Sequence, residues 1–146
     1  MKETIKKLGL EQGMNEMVTL YKRIPKSGEI TPDAAIVLHV LFWQMKTKLS
    51  DMVTKAERYE LDIKQQRDNI DVDIQSESEE KSEASKQRVS KADSRWRELQ
   101  DKRLEAQVLT NYLKMKREDF DQAVYVMRTS VTYGHRDEQS TPTQEL

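Results

Sequence analysis

Lysine and arginine recur at heptad intervals along this chain, and these are the residues whose type and spacing could do chemistry. Arg88, Arg95, Lys102 and Lys116 share one heptad position, interrupted by Leu109. Lys48 and Lys55 are also seven apart, in a segment that carries Lys46, Arg58, Lys64 and Arg67. Such stripes could track a phosphodiester backbone, each contact displacing a counterion. Tyr59, Trp96 and Tyr112 could stack on bases if exposed. The same spacing has a purely structural reading. Charges at coiled-coil g positions ordinarily give solubility and interhelical ion pairs, and Trp96 falls on an apolar seam. The pattern leaves both readings open.

Covalent chemistry has almost no support. The two histidines are His39, inside an apolar helical run, and His135, near the end of the chain. His39 reads as a core or interface residue and His135 as a solvated one. There is no glycine-rich phosphate loop, nucleophile elbow or HExxH pair. With no cysteine there is neither a disulfide framework nor a thiolate metal site. A protein that is not an enzyme, with no metal or other cofactor, is expected.

Composition bounds the class. The 146 residues are 35% charged and 6% aromatic, with 4 Gly and 3 Pro, a balance that suits long helices better than sheets. No apolar run approaches the roughly 18 to 20 residues of a membrane span, and the N-terminus lacks a signal-peptide pattern. A soluble cytoplasmic protein is expected, in the host cytoplasm if a phage encodes it. The net charge of −1 is unevenly spread: +3 over residues 1–58, −6 over 59–83, +4 over 84–128 and −2 thereafter. Near-neutrality argues against an indiscriminate nucleic-acid binder but leaves room for a local basic track.

The elements that must position these charges are two heptad runs. One seam follows Leu38, Phe42, Met45, Leu49, Met52, Ala56, Tyr59, Ile63, a polar Gln66 and Ile70. The other follows Val89, Ala92, Trp96, Leu99, Arg103, Ala106, Thr110, Leu113, Arg117, Phe120, Val124, Met127 and Val131. Alternating three- and four-residue steps over several heptads are the signature of coiled-coil packing. The spacing predicts a helix over 32–74, a Ser/Glu-rich hinge over 75–85 and a returning helix over 86–132, closed by Tyr133 and Gly134. Thr31 suits an N-cap, Pro32 the first helical position and Asp33 the helix dipole.

A short helix over 2–23, weakened at Gly9 and Gly13, precedes a connector containing Pro25 and Gly28. Residues 134–146 read as a disordered tail. The expected fold is all-α: a short N-terminal helix plus a long antiparallel helical hairpin, forming one domain over 1–133. Pairing at a constant near 169 would put Phe42 by Met127, Leu49 by Phe120, Ala56 by Leu113 and Gln66 by Arg103.

Near the hairpin's base the apolar residues go beyond the seams. Val37 and Leu41 on one helix, with Leu109, Tyr112, Tyr125 and Val126 on the other, need more cover than one partner helix gives. These residues predict a homo-oligomer joined at its base. Arg103 and Arg117 on the seam must pair with acids, snorkel outward or face water.

Residues 30 to 130 resemble the UvsY family of recombination mediators from tailed phages. The likeness is carried by IleValLeuHisValLeuPheTrpGlnMet at 36–45 and LysAlaGluArgTyrGluLeuAspIleLysGlnGlnArg at 55–67. It continues in GluLysSerGluAlaSerLysGlnArgValSerLysAlaAsp at 80–93 and PheAspGlnAlaValTyrValMetArg at 120–128. The resemblance implies a ring-like oligomer that binds single-stranded DNA and helps load a RecA-like recombinase, with a single-strand-binding protein as a further partner. It places DNA contacts at Lys55, Arg58, Lys64 and Arg67. The chain departs from the family in having Lys64 and Arg67 where a basic-x-basic pair is expected, and a Ser/Glu segment in place of a glycine-rich loop. The alternative is a structural or scaffolding coiled coil, in phage assembly or as an adaptor, acting through protein contacts only.

Overall fold

The computed structural model describes residues 1–26 and 30–144, with side chains described through Thr132. The chain is all-α: α1 (Lys2–Lys7), α2 (Glu11–Tyr21), α3 (Pro32–Glu77), α4 (Glu83–Ala92) and α5 (Ser94–Gln144). The long helix α3 packs against α5 as the two arms of a helical hairpin. Thr31 starts α3 as expected, its hydroxyl accepting from the Ala34 N–H at 3.3 Å.

Four local features differ from the sequence expectation. The N-terminal helix is two helices, because Gly9 adopts φ +67, a left-handed conformation in which a helix does not continue. The hinge is shorter than 75–85: α3 persists to Glu77, and α4 starts behind Ser82, whose hydroxyl accepts from the Ser85 N–H at 3.1 Å. The returning helix breaks at Asp93, which is extended at ψ 135. Its carboxylate accepts from the Arg95 N–H at 2.9 Å and so caps α5. Finally, α5 continues as backbone helix to Gln144. Gly134 does not end it, since one glycine costs a helix only about 1 kcal/mol. The side chains of the expected tail, His135 among them, lie outside the described residues, as do Ser27 to Glu29 of the connector.

Contacts divide the chain into two compact units, where one domain is expected. Unit 1 comprises Met1–Leu8 and Val53–Tyr112; unit 2 comprises Gly9–Met52 and Leu113–Leu146. In a pair of long helices each turn touches only the turn opposite, so no single core forms.

Unit 2 is built on Phe42, Met45 and Leu49 of α3, Phe120 and Met127 of α5, and Leu10 and Met17 beside them, all at most 2% exposed. The rings of Phe42 and Phe120 meet edge-to-face at 5.7 Å. The heptad pairing predicts Phe42 beside Met127, a heptad further on. A reversal centred near Glu80 sets a smaller pairing constant than 169. A β-carbon on Gly13 would lie 2.7 Å from the Met52 sulfur, so this glycine lets α2 approach α3 closely.

Unit 1 has a core of Ile63, Leu99 and Ala106, with Tyr59 and Ile70 packed against it. Towards the tip Ser90, fully buried, donates a hydrogen bond to Asp71. Val89, expected on the seam, is exposed; the break at Asp93 shifts the phase of α4, and Ser90 takes the buried place.

Candidate nucleic-acid interface

The eight basic residues singled out in sequence separate into two sets. Half are committed to contacts within the fold. Lys48 of unit 2 donates to Glu16 of α2 at 2.5 Å, and that hydrogen bond holds the Glu16 carboxyl below its ordinary range. Arg67 of unit 1 has a side chain only 14% exposed. It donates to Gln100 at 2.6 Å and lies over the Trp96 ring. Arg95 binds both Asp93 and Glu77 at 3.1 Å. Its side-chain hydrogen bonds depress the Asp93 carboxyl and push the guanidinium further up. Lys102 is 3.5 Å from Glu98, one turn earlier on α5.

The other set is uncommitted. Lys55, Arg58 and Lys64 on α3 and Arg88 on α4 are exposed, and among the described residues none of the four stands in an ion pair. They do not form one stripe. At 100° per residue Lys55 and Arg58 share a flank of α3, while Lys64 faces the opposite side.

Of the aromatic candidates, Trp96 is half-buried under Arg67 and Tyr112 is half-buried. Tyr59 is half-buried too, but one side of it borders an open groove of about 520 Å³ that also meets Lys2 and Lys7 of α1 and Lys102 of α5. Lys7 Nζ lies 5.3 Å from the ring centroid. The structure thus brings Tyr59 and Lys102 together, as the sequence allows, and adds Lys2 and Lys7. The signal for these two was only their place in a short N-terminal helix, whose docking site no local pattern specifies.

The expected oligomer contacts divide as well. Val37, Tyr125 and Val126 of unit 2 are exposed, Tyr125 at 69%. Leu41 is half-buried, lining a groove with Leu20 of α2, and Tyr112 is half-buried. Leu109 is fully buried within unit 1, which corrects its assignment to a subunit contact. The flank of α5 bearing Lys102 and Glu105 borders α1, so the covered stripe is wider than a two-helix seam and takes in Leu109. Trp43, not singled out in sequence, is 53% exposed and lines a groove with Tyr125 and Val126. Ile36 and Val40, also exposed, fall on the same outward face of α3 as Trp43 by helical spacing.

The seam residue Arg103 has its Nε buried without a hydrogen-bond partner, as has His39 Nε2. Among the described residues no group of three His, Cys, Asp or Glu could hold a metal ion. No helix among them is long and apolar enough to cross a membrane. No protein-family model, curated protein or solved structure matches this chain.

Proposed function

We infer that the protein is a non-catalytic, homo-oligomeric mediator of DNA recombination that binds single-stranded DNA and helps load a RecA-like recombinase, alongside a single-strand-binding protein. The observation that carries this reading is the exposure of Lys55, Arg58 and Lys64 on α3 without ion-pair partners among the described residues. Lys48 and Arg95, by contrast, are neutralised by neighbouring carboxylates. Three cations without such partners are available to phosphates, and the segment that bears them carries the family resemblance. The mechanism is non-covalent: several subunits hold one strand by its backbone and present it for filament nucleation.

Charge reversal tests the reading. A triple variant with Lys55→Glu, Arg58→Glu and Lys64→Glu loses strand binding while helix content and assembly persist. Unchanged binding by that variant would favour the second reading, a scaffolding protein that works through protein contacts alone. That alternative draws on one observation, the exposed apolar face of unit 2 formed by Ile36, Val37, Val40 and Trp43. A face of this kind on a charge-rich helix marks a contact surface, and a second copy of the chain satisfies both readings.

A further inference from the structure

The geometry points to a nucleotide subsite in unit 1, the groove that Tyr59 lines together with Lys2 and Lys7, which takes one base and its phosphate from a single strand. This rests on the strand-binding reading above and deepens it. It adds two contacts, Lys2 and Lys7, that lie outside the stretch carrying the family resemblance.

The groove, at about 520 Å³, falls within the ~300–1,000 Å³ typical of small-ligand clefts. Tyr59 packs against the Ile63, Leu99 and Ala106 core, so its ring is held in place before any ligand arrives and little side-chain entropy is lost on stacking. The Lys7 ammonium lies 5.3 Å from the ring centroid. A surface cation–π contact is weaker than base–aromatic stacking. A base therefore displaces Lys7 from the ring, and the released ammonium is already beside the phosphate that follows.

Thr4, buried in unit 1, anchors α1 and with it both lysines. Glu3 and Glu105 also line the groove, so its net charge is only mildly positive, and its lysine–phosphate contacts make binding sensitive to salt. Lys55, one helical turn before Tyr59 on α3, extends the cationic surface beyond the groove. Phosphate alone satisfies the lysines; only a nucleotide also uses the ring.

Fluorescence anisotropy of a labelled oligo-dT of about 15 nucleotides tests the subsite on the full chain. Tyr59→Phe keeps wild-type affinity within about twofold, while Tyr59→Ala weakens binding about tenfold, in the range measured for base–aromatic stacking. Lys2→Gln with Lys7→Gln weakens binding and flattens the log–log salt slope by about 1.4, two single-strand phosphate contacts. Because Tyr59 also packs on the core, the exposed lysine pair carries the test if Tyr59→Ala melts early. Deoxythymidine monophosphate competes with the strand better than inorganic phosphate at equal ionic strength. Equal competition by the two would remove the role of Tyr59. Wild-type binding with an unchanged slope in the lysine pair overturns the subsite and leaves the mediator reading standing. Absence of wild-type binding overturns that reading and the subsite with it.

Discussion

The guanidinium of Arg67 lies 5.7 Å from the ring centroid of Trp96, with its Nη1 donating to Gln100 at 2.6 Å. A residue that sequence alone offers to DNA is thus part of the packing between α3 and α5. A partly desolvated cation–π contact contributes about 1 kcal/mol, and a hydrogen bond about the same. Arg67→Ala should therefore lower stability by about 2 kcal/mol and alter tryptophan emission, with strand binding changed little. A large loss of strand affinity at unchanged stability would return Arg67 to the DNA-contacting set.

Much of the fold was legible in the chain, and the reasons are local. Three- and four-residue spacing marks Phe42, Met45, Leu49, Met52 and Ala56 as one stripe, and all five are buried. Thr31 and Pro32 mark a helix start from chemistry confined to one turn. Asp93 caps α5, but the unbroken heptad count around it conceals the interruption. What local patterns could not give was the docking of α1 and α2. That docking brings α2 close to α3 at Gly13, where a side chain would displace Met52, and commits Lys48 to Glu16. The candidate site was half legible for the same reason. Sequence supplies the charges, but whether an acid lies across from each one is a tertiary fact.

Two carboxylates link stability to pH. Hydrogen bonds from Lys48 to Glu16 and from Arg95 to Asp93 depress both pKa values. Such groups stabilise the fold above their unfolded pKa values, near 4, and lose that contribution as pH falls through the depressed folded values. Thermal melts should show wild type more stable than Glu16→Gln with Asp93→Asn at neutral pH, the gap closing below about pH 4. Asparagine keeps the cap at position 93, so the comparison isolates charge. A gap that does not narrow as pH falls below about 4 would contradict the assignment.

Arg103 offers the opposite sign. Its Nε is buried without a hydrogen-bond partner on the unit 1 seam, beside the Leu99 and Ala106 core. Replacing a half-buried arginine whose Nε lacks a partner by an apolar side chain of similar length removes the cost of that unsatisfied donor, about 1 kcal/mol. Arg103→Met should raise the melting temperature by about 2–4 °C. A drop of that size would mean that the guanidinium is contributing net stability.

The groove of unit 2 that exposes Trp43 and Tyr125 tests assembly. Trp43 and Tyr125 line it from α3 and α5 and are both more than half exposed. Trp43→Glu with Tyr125→Glu should reduce the mass seen by light scattering to that of a monomer while helical signal is retained, because neither ring belongs to the core. A mass unchanged by the pair would move the subunit contact to another face.

The most direct test of the central claim is a titration of labelled single-stranded oligonucleotide with the wild-type protein, followed by anisotropy from low to moderate salt. The account predicts saturable binding whose affinity falls with log salt by about 0.7 per phosphate contacted, and its loss on charge reversal at Lys55, Arg58 and Lys64. No detectable binding at low ionic strength would contradict it.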